Sequence, residues 1–328
     1  MKTPVLAVAL GLLLAPSLFS ATPTARRVEL RHQVRAFAER NSGEQAAVRP
    51  LRFRPDITFL RPDGSLTSGV RCGTPNLTAP KMAQVERDLA ELRPFEERGA
   101  AAEIFPNFVD VVFWVLHLDG EGLVDRAQLA AQLDVLNAAY SKAAIQFRFK
   151  DDLYYTLDFA DAPEYYHLGF ESQEESELKA EFREDPTRNL NIYIADIQDD
   201  LLGWATFPID LKRERDMDGV VLLNESLPGG SAAPYNLGDT ATHEVGHWFG
   251  LYHTFQGGCS AKNDQVSDTP AEREAAYDCP IGRNTCPAAG TDPVLNFMDY
   301  TDDSCMNTFS AGQRSRIKAQ ITKYRKLI

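Results

Sequence analysis

The run His243-Glu244-Val245-Gly246-His247-Trp248-Phe249-Gly250-Leu251-Tyr252-His253 gathers three of the chain's six histidines into eleven residues. No other feature of the sequence constrains the fold as strongly. Imidazoles four residues apart share a helix face, so His243 and His247 reach one ion if this stretch is helical. Glu244 then lies one residue around from that face, able to touch a water on the ion without being a ligand. Gly250 tolerates positive φ, so the helix ends there and the chain turns back to present His253 as a third nitrogen. Asp239 or Thr240 stands where a helix running to about Phe249 needs its cap.

Three neutral imidazoles suit Zn²⁺, and a shell of three protein ligands leaves one position for water, the mark of a catalytic rather than a closed site. Zinc lowers the pKa of its water to about 7 and polarises a carbonyl. Glu244 is then placed to take a proton and return it to a leaving amine. The reaction class implied is metal-assisted hydrolysis of an amide.

With 328 residues, 44% hydrophobic and 25% charged, the chain is long and apolar enough to bury a core in one or two domains. A net charge of −13 argues against nucleic acid or an anionic membrane as its partner. The charge is uneven: residues 22–75 carry ten arginines and five acids, whereas residues 104–328 carry nineteen basic and thirty-six acidic side chains. The basic block is therefore expected to sit on the acidic remainder. Lys2, the apolar run Val5 to Leu14 and the small residues Ala15, Ser17, Ser20 and Ala21 read as a signal peptide cut near residue 20, implying a secreted protein. No later run is long enough for a membrane span, since Phe108 to Leu118 is broken by Asp110 and His117.

Along the chain, Ala25 to Arg40 predicts a basic helix, Arg49 to Pro75 a draped extension with little periodicity, and Ala79 to Arg98 a helix. A boundary near residue 103 separates these from a larger domain. Within it, Phe108 to Leu118 predicts a buried strand, Arg126 to Ala143 a helix, and Ile145 to Leu157 one or two strands. Leu190 to Ala195 and Gly219 to Leu223 predict further strands, with an apolar segment from Leu201 to Pro208 between them. Gln313 to Lys326 predicts a closing basic helix. Of the five cysteines, Cys259, Cys279, Cys286 and Cys305 cluster near the C-terminus, suggesting two disulfides in any of three pairings. Cys72 stands apart.

The histidine run and the downstream Asn296-Phe297-Met298-Asp299-Tyr300 resemble the metzincin endopeptidases, whose zinc helix is followed by a methionine turn. The resemblance implies that Met298 floors the metal site and that Tyr300 binds zinc or stabilises the oxyanion. The sequence is most similar to the pappalysin family, in its cytophagalysin branch. The segments carrying this are Leu201 to Pro208, Leu227-Pro228-Gly229-Gly230, Thr254 to Cys259, Asp268 to Glu272, Asn296 to Met306 and Phe309 to Gln313. Nearly all of residues 104–328 is covered. The family pattern implies the bridges Cys259–Cys286 and Cys279–Cys305, each restricting the unfolded chain by about 3 kcal/mol. It also implies calcium near the site, for which Asp264, Asp268, Thr269 and Glu272 are the candidates. A preference for a basic residue after the cleaved bond is implied too, with Asp302 or Asp303 as counter-charge.

Arg71-Cys72-Gly73-Thr74-Pro75 resembles a cysteine switch, in which a propeptide thiolate fills the open zinc position. It departs from the matrix-metalloproteinase version in having Asn76 where that version has an acid. The organisation expected is thus a signal peptide at 1–20, a propeptide at 21–103 that inhibits its own enzyme, and a catalytic domain at 104–328 acting on proteins or peptides. Activation requires a cut between Cys72 and Ile104, near Arg93 to Gly99. The fold expected is α/β, with a twisted, mostly parallel sheet, backing helices, a zinc helix and an irregular, disulfide-braced C-terminal subdomain. A substrate is expected antiparallel to an edge strand near Val220 to Leu223, with Trp204 and Phe207 beside it. Two other functions fit the zinc helix alone: a hydrolase of small amides, and a secreted binding module whose structural zinc has a fourth protein ligand.

Overall fold

The run Phe108–His117 forms the central strand of an eight-stranded sheet, and it is almost continuously apolar because both of its faces are covered. The computed structural model describes residues 26–29, 31–41, 54–92, 108–325 and 327. In chain order the elements are β1 (Arg26–Glu29), α1 (Arg31–Asn41), β2 (Ile57–Leu60), β3 (Leu66–Gly69), α2 (Ala79–Ala90), β4 (Phe108–His117), α3 (Arg126–Tyr140) and β5 (Gln146–Phe149). There follow β6 (Leu153–Asp158), β7 (His167–Leu168), α4 (Gln173–Glu181), β8 (Asn189–Ile197), β9 (Gly203–Ala205), β10 (Val220–Leu223), α5 (Asp239–Trp248) and α6 (Ala311–Tyr324).

The strand order is β1-β6-β4-β8-β10-β9, with β5 also paired to β4 and β7 to β8. Within this sheet every pairing is parallel except β9 on β10. Val109, Val111 and Phe113 face a core shared with Leu129 and Leu133 of α3, Val245 of α5 and Ile317 of α6. Val112, Trp114 and Leu116 face the opposite core, with Val34 and Phe37 of α1 and Leu178 of α4. From Leu251 to Ser310 no regular element forms, and the bridges Cys259–Cys286 and Cys279–Cys305 cross-link this stretch. The mixed α/β architecture expected from the sequence is thus present, with the zinc helix α5 lying below the sheet.

Several local expectations are corrected. Val220–Leu223 is interior, flanked by β8 and β9, so the edge strand is Gly203–Ala205. The draped segment contains the antiparallel hairpin β2–β3, and the first helix is preceded by β1, a parallel addition to β6. Helix α2 ends at Ala90; Arg93 to Gly99, the boundary near residue 103 and the signal peptide lie outside the described residues. The cap of α5 is Gly238, at φ +98°, and not Asp239 or Thr240. The helix start is satisfied from a distance, where Asp303 Oδ2 accepts from the amides of Leu237 at 2.9 Å and Asp239 at 3.3 Å.

The basic N-terminal residues do sit on acidic partners. Arg61 pairs with Asp196, Asp200 and Glu225, Arg71 with Asp303, and Lys81 with Asp210. Among the described residues no helix is long and apolar enough to cross a membrane.

Candidate metal centre

Helix α5 brings His243 and His247 onto one face, and the turn at Gly250, with φ +89°, returns His253 beside them. Gln320 of α6 packs where a Gly250 Cβ would lie and donates to the Gly250 carbonyl, as does Arg316. The helix C-terminus is held further by Arg325, which bonds the Trp248 carbonyl and the buried Asp218.

The three imidazoles converge through Nε2. That of His247 lies 3.1 Å from His243 Nε2 and 3.0 Å from His253 Nε2. Each Nδ1 faces an oxygen: Phe297 O at 2.7 Å from His243, Leu251 O at 2.8 Å from His247, and Asn76 Oδ1 at 3.2 Å from His253. Protons on Nδ1 leave three lone pairs aimed at one another, an arrangement that a shared cation relieves. Burial and the neighbouring rings hold His243 well below the usual histidine range, burial holds His247 at about 4, and burial with His247 lowers His253. The rings are therefore neutral and fit to be ligands.

Cys72 stands beside them as a potential fourth donor. The ligand atoms of Cys72, His243, His247 and His253 lie within 4.8 Å of one another, all buried, and the set of three nitrogens and one sulfur fits zinc. Burial first, then Glu244, pushes the Cys72 thiol up, a trend that a bound cation inverts. Glu244 is fully buried; its Oε2 accepts from the Thr74 hydroxyl at 2.8 Å, and burial raises its carboxyl to about 7.

Met298 is buried beneath α5, and its Sδ occupies the space a side chain at Gly246 would need. The Tyr300 hydroxyl is 3.2 Å from His253 Nε2. Asp303 rather than Asp302 ion-pairs with the buried Arg71: Arg71 Nη2 lies 3.3 Å from Asp303 Oδ1, Nη1 donates to Thr240 Oγ1 at 2.8 Å, and the guanidinium lies over the Tyr235 ring. Trp204 is core, hydrogen-bonded to Glu175, while Phe207 packs edge-on against His247.

The four calcium candidates do not form one cluster. Asp264 and Thr269 are buried neighbours, and burial raises the Asp264 carboxyl to about 7. Asp268 instead accepts from Ser310 Oγ and the Gly312 amide at the start of α6. Glu272 accepts from Thr254 and Arg283 beside Asp292 and Asp299.

The contacts of Arg71, Thr74 and Asn76 were not foreseen one by one. Their only signal was the basic bias of the N-terminal block around Cys72. Gly246 carried no signal, since its necessity lies in a partner 52 residues away.

Fold and site together define a zinc metalloprotease. The peptidase M43 family model, described as pregnancy-associated plasma protein-A, matches residues 173–322. An extracellular metalloprotease of Colletotrichum graminicola is 40% identical over 267 residues, covering 77% of this chain and 91% of its own. Promirolysin E225A from Tannerella forsythia superposes with a TM-score of 0.63 at 25% identity, over 77% of this chain and 95% of its own. Mature mirolysin from the same organism, in complex with a cleaved peptide, gives 0.56 at 27% identity, over 66% of this chain and 95% of its own. The chain belongs to the pappalysin family of metalloproteases.

Proposed function

We propose that the chain is a secreted endopeptidase made as a latent zymogen. In this reading residues 1–20 are a signal peptide, 21–103 a propeptide and 104–328 the catalytic domain. The observation that carries it is the passage of Arg71 to Asn76 through the site. Arg71 fills the Asp303 pocket, Cys72 joins the three histidines, Thr74 holds Glu244, and Asn76 holds His253. Relatives support the two halves of the reading: one is named extracellular, and the match to promirolysin covers more of this chain than the match to the mature enzyme.

The segment is held along the edge strand. Gly73 N donates to Gly203 O at 2.8 Å, Leu202 N donates to Val70 O at 3.0 Å, and the Val70–Leu201 bridge is parallel. A substrate antiparallel to β9 would run the opposite way. It would set a basic residue, the one after its scissile bond, between Asp303 and Thr240, where Arg71 stands now. The reversed polarity keeps the segment from presenting a scissile bond as a substrate does.

Zinc held by His243, His247 and His253 would supply Lewis acidity toward a carbonyl and a water. Glu244, poised near neutrality by burial and freed of Thr74, would take a proton from the attacking water and deliver it to the leaving nitrogen. The Tyr300 hydroxyl, beside His253, is placed to donate to an oxyanion. Calcium belongs to the same proposal, with the buried Asp264 and Thr269 as its most suitable oxygens. A structural zinc would also be closed by four donors, but it would give the Thr74–Glu244 hydrogen bond no purpose.

Thiol titration of the full-length chain tests this. Cys72, the one free cysteine, should resist reagent with metal present and react after chelation while the fold persists. Removal of the segment should release activity toward peptides, which Glu244→Ala should abolish by several orders of magnitude with zinc retained. A thiol equally reactive with and without metal, or an active Glu244→Ala enzyme, would overturn the reading.

A further inference from the structure

Beyond Ala205, where the edge strand ends, the chain runs through Thr206-Phe207 into the short turn Pro208–Asp210, which forms one wall of a cavity of about 330 Å³. On the side away from Asp303, this cavity lies between the catalytic domain and the start of α2. Phe207 and Met217 give it apolar walls, and Glu171, Asp210 and Glu214 give it an acidic rim. Among the described residues Lys81 of α2 is the only cation lining it, with Nζ 2.6 Å from Asp210 Oδ1. The Asp210 side chain is 14% exposed even with Lys81 in place.

The N-terminal segment thus sets one cation at each end of its path, Arg71 on Asp303 and Lys81 on Asp210, with Cys72 among the histidines between them. A substrate running antiparallel to β9, with its residue after the scissile bond on Asp303, must lay its preceding residues along Ala205 to Phe207. That track leads to the Asp210 cavity. We propose that Asp210 is a second specificity-determining residue, which selects a lysine or arginine on the amino-terminal side of the cleaved bond. The inference rests on the reading of residues 21–103, which include Lys81, as a removable propeptide. Once Lys81 is gone, Asp210 is left with Glu171 and Glu214 on an acidic rim above apolar walls. An alkyl stem can lie on those walls while its cationic head meets the carboxylate.

The test uses the full-length chain after activation and a peptide it cleaves, with arginine fixed after the scissile bond. Lysine, glutamine and glutamate are then scanned through the four positions before the bond. At one position lysine should exceed glutamine in kcat/KM by roughly 5-fold, with glutamate poorest, as for a partly buried ion pair. Asp210→Asn should reduce the lysine advantage at that position below about 2-fold, and Asp210→Lys should invert it in favour of glutamate. Both variants should keep the wild-type preference for arginine over leucine after the bond. No lysine preference at any position, or one that survives Asp210→Asn, overturns the proposal. A lysine preference that depends on Asp210, in an enzyme indifferent to the residue after the bond, would keep Asp210 and overturn the Asp303 pocket instead.

Discussion

The guanidinium of Arg71 and the carboxylate of Asp303 form an ion pair 3.3 Å apart, and neither side chain has any solvent exposure. Asp303 uses its other oxygen to hold the first amides of α5, so a single carboxylate joins the N-terminal segment to the start of the zinc helix. Removing one partner of such a pair leaves an uncompensated buried charge and costs about 3–5 kcal/mol. A peptide spanning Gly69 to Leu77 should inhibit the activated enzyme, and Arg71→Ala in that peptide should raise its inhibition constant at least about 100-fold. Equal inhibition by the two peptides would show that the buried pair contributes nothing to docking.

In the latent-zymogen proposal, Cys72 is one of several contacts that close the site. Thr74 on Glu244 and Asn76 on His253 remain when the thiol is removed, as does Arg71 on Asp303. Cys72→Ala in the full-length chain should therefore leak only a small fraction of the activity reached on cleavage. Cys72→Ala combined with Arg71→Ala should leak far more than the two single changes add up to, because the remaining contacts then dock too weakly to exclude a peptide. Full activity from Cys72→Ala alone would make the thiol the whole lock.

The sequence was most legible where chemistry is local. The i, i+4 histidines, the glycine three residues before the third histidine, and the apolar run at 108–117 each carry their own geometry, and the structure has all three. Helix α4 was missed for a physical reason. Its buried positions include Glu175 and Lys179, ion-paired at 2.7 Å with no exposure of the lysine, so its buried face is partly charged and it lacks apolar periodicity. The helix cap was misassigned for a related reason. Gly238 needs no side chain because the acceptor for the Asp239 amide, Asp303, arrives from 64 residues downstream of Asp239. The choice of edge strand depended on where β9 pairs, and a three-residue strand containing a glycine gives little pattern to read.

Gly246 separates the two helical histidines and lies directly on the Met298 sulfur. Alanine normally favours a helix interior by about 1 kcal/mol. Here the added methyl would collide with a fully buried thioether, and overpacking of this kind costs about 1–3 kcal/mol. Gly246→Ala should lower thermal stability, and Met298→Ala should partly restore it by opening space. A Gly246→Ala protein as stable as the parent would mean that Met298 moves aside without penalty.

Asp264 supplies a pH test of the calcium proposal. Burial raises its carboxyl to about 7 in the folded chain, against 3.8 for an ordinary aspartate. The folded state therefore binds more protons than the unfolded state between these values, so in chelator stability falls as pH rises through that window. Burial also raises Asp239, to about 7, and the neighbouring carboxyls of Asp299 and Glu272, all acting in the same direction, so the measurement that isolates Asp264 is the difference between the parent and Asp264→Asn. In chelator the melting temperature of the parent should drop more steeply from pH 5 to pH 8 than that of Asp264→Asn. Calcium at pH 8 should raise the parent's melting temperature and leave the variant unmoved, because an ion bound there stabilises the ionised carboxylate that burial disfavours. An equal calcium response in both proteins would place the ion elsewhere, with the Glu272, Asp292 and Asp299 cluster the next position to substitute.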